Sequence, residues 1–385
     1  MLMILGIIIF LAVSLILYLS KSTIKNKLNI NIKKSQEASL NTQPIKEFVT
    51  KCLDKISKDA VILIGQQGGY IYKSQGGTLI DYKITDEGTY FVNYNNFNVA
   101  YNILPPKFEV QAYSSNIPDY PWQTFPYKTT SLNEESYEGY FGINNMPPLN
   151  SSEGPNSIQT QLETFIDNKM PNCLDFSIFE EQGFGIVMNS TNTSIVIGAS
   201  DISIKSKILI TIINPTTKET LQLSDFLTHL DVRLKDIYLF TKKSVDNDIK
   251  NVKFSIKDAR NNEDFLNVKL IENISSYNDD LIIVTDEKSL IYGKLYKYVF
   301  ARRNRAPALY YIKQTNLEFP HLHVITIEDL LQNSELKADD SDEDNYTFTI
   351  TPTLPYTLNV PQKEFKIEVS DGKLSDYQII TVNRI

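Results

Sequence analysis

The chain of 385 residues has few of the residue types on which enzymes most often depend. It contains three histidines and two cysteines, and it has no G-x-S-x-G, H-E-x-x-H or Cys–His nucleophile pattern. It also lacks an excess of positive charge, because 38 Lys and Arg residues face 46 Asp and Glu residues and the net charge is −8. A basic surface is the usual mark of nucleic-acid binding. The sequence therefore predicts neither an enzyme nor a nucleic-acid-binding protein.

The N-terminus lacks charge altogether. Its first nineteen residues, MLMILGIIIFLAVSLILYL, contain no charged side chain, and as a helix they would span roughly 28 Å, close to the thickness of a bilayer core. No basic residue precedes this run and no A-x-A cleavage pattern follows it, which favours an uncleaved anchor over a signal peptide. We predict a transmembrane helix over residues 1–22, in contact with lipid through residues 1–19, and a lysine-rich stalk over residues 23–43. The alternative is a pilin-like helix that packs in a filament core.

The body of the chain reads as α+β and rich in β-structure. Apolar residues recur with helical spacing over 44–64, and runs of β-forming residues then alternate with further helical segments in blocks, which is typical of a mixed α+β fold. We place an N-terminal α+β domain at residues 44–182 and a central β-rich domain at 183–303. Near the C-terminus, Phe365, Ile367 and Val369 alternate with polar residues before Asp371-Gly372, which predicts a hairpin.

Three stretches near the C-terminus carry a resemblance to a known family. The run Asn304-Arg-Ala-Pro-Ala-Leu309 resembles the linker that opens cadherin-like repeats in prokaryotic surface proteins. Residues 336–348 resemble the acidic turn of these repeats, and residues 365–378 resemble their last hairpin. The resemblance implies an Ig-like β-sandwich over residues 304–385.

The acidic turn is a candidate cation site. Aspartates alternate along it, and carboxylate oxygens are the ligands that calcium prefers. A solvated acidic turn without metal is the alternative, and apart from calcium the sequence indicates no cofactor. The candidate calcium ligands are Asp339, Asp340, Asp342 and Asp344.

The two cysteines and the glycosylation motifs indicate an exported protein. Cys52 and Cys173 each lie beside a predicted helix, and we predict a disulfide between them, with two buried free thiols as the alternative. Asn189 and Asn192 lie in a predicted hairpin loop, where glycans are easily accommodated. The candidate glycosylation sites are Asn150, Asn189, Asn192, Asn273 and Asn345.

A segment rich in proline and aromatic residues is a candidate contact surface. Residues 114–157 hold the only tryptophan of the chain, and aromatic side chains held between prolines often mark contacts. The alternative is that these rings pack the segment onto the body. The candidate contact residues are Tyr120, Trp122, Phe125 and Tyr127.

Together these features predict a membrane-anchored structural or adhesion protein of the cell surface, with most of the chain outside the cell. Its partner would be another surface component or a second copy of itself. The layout also resembles uncharacterised single-span surface proteins of small-genome archaea. The resemblance lies in the apolar N-terminus, in the Cys52 helix that runs into Gly65-Gln-Gln-Gly-Gly-Tyr-Ile71, and in the passage Phe300-Ala-Arg-Arg-Asn-Arg-Ala-Pro307. One alternative is a filament or surface-layer subunit with residues 1–22 in the assembly core. The other is a surface hydrolase that uses paired carboxylates.

Overall fold

The structure is a computed structural model that describes residues 42–71, 91–105, 141–214, 218–259 and 265–385. Within these ranges the chain is mixed α+β and rich in strands, as the sequence predicts. The helices are α1 (Gln43–Gln66), α2 (Ile158–Cys173), α3 (Ser177–Glu181), α4 (Leu234–Asp248) and α5 (Ile327–Leu331). The strands are β1 (Phe91–Tyr94), β2 (Phe97–Leu104), β3 (Ile143–Asn144), β4 (Gly185–Ile197), β5 (Ile202–Ile213), β6 (Thr220–Leu230), β7 (Leu266–Ile271), β8 (Asp280–Ile291), β9 (Lys294–Arg302), β10 (Ala308–Leu309), β11 (Asn316–Phe319), β12 (Val324–Ile325), β13 (Ala338–Asp339), β14 (Thr347–Thr351), β15 (Tyr356–Thr357), β16 (Gln362–Ser370) and β17 (Ser375–Arg384).

The predicted fold class is wrong in its membrane-spanning helix. Among the described residues, no helix is both long enough and apolar enough to cross a membrane. The longest one, α1, has 24 residues but carries charged side chains such as Lys51, Asp54 and Lys55 in its middle turns, and each charge at the centre of a bilayer is costly. The predicted anchor at residues 1–22 lies outside the described residues, as does the stalk at 23–43 except for its last two residues.

The chain divides into two compact units, of which the first contains residues up to Leu53, Lys169–Asn192 and Lys205–Leu227. A disulfide joins Cys52 of α1 to Cys173 at the end of α2, with the two Cα atoms 5.9 Å apart. The predicted disulfide is therefore confirmed. It closes a loop with a sequence separation of 121 residues, and a loop of this length stabilises the fold by about 4–5 kcal/mol in the chain-entropy description.

The three long strands β4, β5 and β6 form a sheet in that order. The predicted hairpin loop around Asn189 and Asn192 is wrong, because β4 runs without a break from Gly185 to Ile197. Its middle is rich in β-branched residues such as Thr191 and Thr193, and these favour an extended backbone.

The second unit contains Asp54–Asn168, Thr193–Ile204 and Thr228–Ile385. Its largest sheet has six strands in the order β1-β2-β9-β8-β7, with β3 paired to β2. Strands β2 and β9 are parallel, whereas β8 forms antiparallel pairs with both β7 and β9. Buried apolar side chains from β2, β8 and β9 pack together on this sheet and form a core of Val99, Tyr101, Leu104, Leu281, Val299 and Ala301.

The last part of the second unit is a four-stranded sheet in the order β11-β17-β16-β14. The predicted hairpin is confirmed, because β16 and β17 pair antiparallel around Asp371-Gly372, and Phe365, Ile367 and Val369 are fully buried. The predicted Ig-like sandwich over residues 304–385 stays a prediction. Beside this sheet, strands β10, β12, β13 and β15 have two residues each and form two separate ladders.

Candidate functional site

The most heavily bonded part of the second unit is the segment Arg302–Arg305, which we call the arginine segment. Strand β9 ends at Arg302, and the next three residues have no regular secondary structure. Three of the six arginines of the chain lie in these four positions. The side chains of Arg302 and Arg305 are 1% and 0% exposed. A guanidinium removed from water to this extent requires carboxylate partners close by.

Arg302 binds carboxylates from three different elements. Its Nη1 atom lies 3.0 Å from Oδ2 of Asp248 at the end of α4, and its Nη2 atom lies 2.6 Å from Oδ2 of Asp280 at the start of β8. Its Nε atom lies 3.1 Å from Oδ1 of Asp342 in the acidic turn. One side chain therefore holds a helix, a strand and the acidic turn together.

Arg305 forms ion pairs with two of the carboxylates that also bind Arg302. Its Nη2 atom lies 2.7 Å from Oδ1 of Asp342 and 2.8 Å from Oδ1 of Asp248. Its backbone N–H donates to Oδ2 of Asp342 over 2.6 Å, and its Nη2 atom also donates to the carbonyl of Ser341 over 3.2 Å. The carboxylate of Asp342 is thus held by charged and neutral donors at once, which orders the acidic turn.

The two middle residues of the arginine segment also bind carboxylates. We call the arginine segment together with its carboxylate partners the junction. Nη1 of Arg303 donates to Oδ2 of Asp279 over 3.1 Å, and the guanidinium lies 5.0 Å from the ring centres of both Tyr101 and Tyr277. The side-chain amide of Asn304 donates to Oδ2 of Asp371 in the β16–β17 turn over 2.9 Å. The segment therefore also links the six-stranded sheet to the C-terminal hairpin.

Negative charge exceeds positive charge in this buried region. Arg302 and Arg305 face Asp248, Asp280 and Asp342, and Asp340 and Asp344 belong to the same acidic turn. Burial raises the pKa of Asp280 to about 6, although the nearby guanidinium of Arg302 opposes this rise. The pKa of Asp344 rises to about 7 through burial and through the charges of Asp342, Asp280 and Asp371. Burial and the Asp342 charge also hold the pKa of Asp340 well above its ordinary value.

The structure separates the four predicted calcium ligands into two pairs. Asp342 is engaged by both buried arginines, and Asp339 accepts a hydrogen bond of 2.7 Å from the hydroxyl of Tyr310. Asp340 accepts the backbone N–H of Asp342 at one oxygen over 2.7 Å. Its other oxygen is buried without a hydrogen-bond partner among the described residues, as is Oδ2 of Asp344. The described residues contain no group of three or more Asp, Glu, His or Cys side chains placed to hold a metal ion.

A solvated acidic turn, the alternative interpretation of this sequence, is wrong for its central residues. Asp340 and Asp342 are 8% and 5% exposed. A signal that points to this burial is the concentration of arginine in the arginine segment, since arginine is scarce in the rest of the chain. A guanidinium forms bidentate pairs with carboxylates and suits buried ion pairs better than lysine does.

The remaining predicted site residues lie apart from this junction. Asn189, Asn192, Asn273 and Asn345 are exposed, and Asn150 is partly buried with its side-chain amide donating to Glu153 over 2.9 Å. The predicted contact residues Tyr120, Trp122, Phe125 and Tyr127 lie outside the described residues.

One exposed cluster combines the residue types of a serine hydrolase. Nδ1 of His229 lies 3.1 Å from Oγ of Ser203 and 3.8 Å from Oδ2 of Asp201. In a Ser-His-Asp triad the serine and the carboxylate bind opposite ring nitrogens, so that the imidazole can relay a proton to substrate. In this cluster the Ser203 hydroxyl and the Asp201 carboxylate both lie near Nδ1 of His229. The cluster therefore does not form a triad.

No protein-family model matches the chain, and no curated protein sequence is similar to it. Arg302 and Arg305 are saturated by carboxylates and buried, so they are not available to bind a substrate. What the arrangement does offer is a fixed connection between elements and a surplus of buried negative charge.

We predict that replacing Arg305 with methionine strongly destabilises the protein. The substitution leaves Asp248 and Asp342 buried with a partner removed, and breaking a buried ion pair in this way costs about 3–5 kcal/mol. Urea unfolding of the full chain measures the change. Arg305→Lys keeps the charge but not the bidentate geometry. We therefore expect its free energy of unfolding to lie between those of the wild-type chain and Arg305→Met. The control is Arg384→Met, because Arg384 is exposed and its loss should change the free energy of unfolding by about 0.5 kcal/mol or less. Equal effects at the two positions would contradict the assignment.

We also predict that, without divalent cations, the protein loses stability as the pH rises from 5 to 8. The pKa values of Asp280 and Asp344 are raised to about 6 and about 7 in the folded state, whereas unfolded aspartates titrate near ~4. The folded state therefore binds more protons in this window, and stability is highest on its acidic side. Thermal unfolding in EDTA at several pH values measures the effect. Asp344→Asn should flatten the dependence of the unfolding temperature on pH. The control variant Asp258→Asn, at an exposed position, should leave this dependence unchanged. A wild-type profile that rises towards pH 8 would refute the prediction.

Proposed function

We propose that this is an exported structural protein of the cell surface, which binds another surface component or coats the cell. The observation that carries the proposal is the Cys52–Cys173 disulfide, because disulfides persist in oxidising compartments and are rare in the cytosol. The asparagines of the glycosylation motifs at Asn189, Asn192 and Asn273 are exposed, which is the placement that glycan attachment requires.

The junction at the arginine segment supports a mechanical rather than a catalytic role. Its buried ion pairs connect α4, β8, the acidic turn and the β16–β17 hairpin. These links hold the C-terminal sheet to the six-stranded sheet in one compact unit. A surface protein that carries load or presents a binding face benefits from such a fixed connection, since a mobile one would cost entropy on binding.

A subunit of a filament or surface layer is the second candidate function. Strands β4, β5 and β6 expose large apolar side chains in the first unit, namely Val187, Leu209, Leu221 and Leu227. Exposed apolar groups on long strands favour association with another copy of the chain. Nζ of Lys205 on β5 lies 2.9 Å from Oδ1 of Asp225 on the neighbouring strand β6. The exposed surface of this sheet therefore also carries one positive and one negative group.

We further propose that a calcium ion compensates the surplus negative charge of the junction at neutral pH. Oδ2 of Asp340, Oδ2 of Asp344 and Oδ1 of Asn304 are buried oxygens without a hydrogen-bond partner among the described residues. Calcium accepts carboxylate and amide oxygens together, and it completes its shell with backbone carbonyls and water. Asp340 and Asp344 would hold the ion, with Asn304 as a neutral ligand. The two remaining predicted ligands, Asp339 and Asp342, would lie near the ion without binding it.

The calcium proposal predicts a stabilisation that depends on Asp344. At pH 7.5, calcium in hundredfold excess over its dissociation constant should stabilise the wild-type chain by about 2.7 kcal/mol. Asp344→Asn should lose most of this gain, and magnesium, which demands stricter octahedral geometry, should give less. Thermal unfolding with calcium, magnesium or EDTA, together with calorimetric titration, measures the effect. No stabilisation of the wild-type chain, or an unchanged gain in Asp344→Asn, would refute the site.

The surface location predicts that the folded chain is accessible on intact cells. Protease added to intact cells should remove the C-terminal sheet, detected with an antibody against residues 362–385. Survival of the sheet on intact cells, followed by cleavage after lysis, would place it inside and refute the proposal. Electron microscopy of material sheared from the cells separates the two candidates. Regular filaments or lattices that contain the chain favour the subunit, and single particles favour the adhesion protein.

A further inference from the structure

A groove opens beside the β8–β9 hairpin of the second unit. It has a volume of about 570 Å³ and is lined by Ile62, Gln66, Ile291, Tyr292, Lys294, Leu295, Tyr296 and Lys297. The first two residues belong to the last turns of α1 and the others to the hairpin. Pockets for small molecules usually measure roughly 300–1,000 Å³, so the groove has the size of a ligand site.

The lining of this groove combines apolar side chains with positive charge. Ile62, Ile291 and Leu295 present hydrocarbon, whereas Lys294 and Lys297 are exposed and contribute ammonium groups. Among the described residues that line the groove there is no acid, although the whole chain has a net charge of −8 and Asp59 lies beside the groove at the hydroxyl of Tyr292. A ligand that matches this surface has an apolar body and a negative group, because charge complementarity selects the partner and hydrocarbon contact supplies the affinity.

The backbone at the tip of the hairpin gives a second, independent indication. Ile291 pairs with Lys294, so Tyr292 and Gly293 form a two-residue turn, and their φ angles are +51° and +72°. A turn with two positive φ angles strongly prefers Asn-Gly or Asp-Gly, since side chains other than Asn and Asp rarely adopt this conformation. A tyrosine there is unfavourable for the turn itself. Residues held in unfavourable backbone conformations cluster at ligand sites.

The position of the Tyr292 ring agrees with a contact role. The ring belongs to the lining of the groove, and the side chain is 56% exposed. Its hydroxyl donates to Oδ1 of Asp59 in α1 over 3.2 Å, which orients the ring. Exposed aromatic rings with a fixed orientation bind apolar ligands with little loss of conformational entropy.

We propose that this groove binds a small amphiphile with a hydrocarbon body and one carboxylate, of the fatty-acid class. The hydrocarbon packs on Ile62, Ile291 and Leu295 under the ring of Tyr292. The carboxylate lies at the rim, where the ammonium groups of Lys294 and Lys297 attract it. The site is separate from the arginine segment, and its occupation does not depend on where in the cell the protein is located.

Calorimetric titration of the full chain with decanoate, below its micelle concentration, tests the site. Decanoate should bind with a stoichiometry near one, and decyltrimethylammonium, which has the same chain and the opposite charge, should bind about tenfold more weakly. Lys297→Glu should weaken decanoate binding about threefold, and this loss should shrink at high salt. Equal affinity for the two amphiphiles, binding of many molecules per chain, or no binding would each overturn the proposal.

The hairpin offers a matched pair of leucines for the hydrocarbon contact. Leu290 and Leu295 are paired across the hairpin and are 56% and 42% exposed, but only Leu295 lines the groove. Leu295→Asp should weaken decanoate binding by about tenfold or more, whereas Leu290→Asp should leave it unchanged. Equal losses in the two variants would show that the hairpin acts only through its general hydrophobicity, which would overturn the assignment.

Tyr292→Asn separates ligand binding from folding. Asparagine suits a positive φ angle better than tyrosine does, so the variant should unfold at the same or a higher temperature than the wild-type chain. It should nevertheless bind decanoate several-fold more weakly, because the ring over the groove is lost. A variant that binds decanoate as well as the wild-type chain would exclude Tyr292 from the site.

Discussion

The second unit depends on the pairing of two fully buried guanidinium groups with carboxylates that come from distant parts of the chain. Arg302 and Arg305 bind Asp248, Asp280 and Asp342, and without these partners neither arginine could be buried. Burial of charge is expensive, and a well-packed apolar core would be as stable or more so. The pairs therefore act mainly as a geometric constraint: they define which helix end, strand and turn meet at the end of β9.

This constraint has an electrostatic consequence. Two guanidinium groups do not neutralise the carboxylates around them, and burial raises the pKa of both Asp280 and Asp344. A proton at mildly acidic pH and a cation at neutral pH are two ways to compensate the same surplus charge. The stability of the junction is therefore coupled to the medium. Such coupling would suit the cell-surface location that we propose, where pH and ion concentrations vary more than they do inside the cell.

The two units use different means of holding distant segments together. In the first unit a covalent bond joins α1 to the end of α2. The ring centre of Phe48 lies 5.8 Å from the ring centres of Phe176 and Phe179. In the second unit ion pairs and hydrogen bonds perform this task. A disulfide acts largely on the unfolded chain, whose freedom it reduces. Buried ion pairs act on the folded state, where they penalise every arrangement that leaves a charge without a partner.

The sequence by itself determined the features that depend on local pattern. The helix around Cys52, the alternation of Phe365, Ile367 and Val369, and the turn at Asp371-Gly372 follow from periodicity and turn chemistry, which act over a few residues. The mixed α+β class follows from the blocks of such patterns. The continuity of β4 through Asn189 and Asn192 did not follow, since polar residues in a strand resemble those of a loop.

Only the tertiary structure decided what the acidic turn does. Asp342 is separated from Arg305 by 37 positions, and Asp248 from Arg302 by 54, so no local pattern reveals these pairs. An acidic run has the same sequence whether it is solvated, binds metal or neutralises buried arginines. The difference is burial, which removes water as a partner and forces each charge to find another one. The groove at the β8–β9 hairpin likewise exists only because folding brings the last turns of α1 against residues more than two hundred positions away.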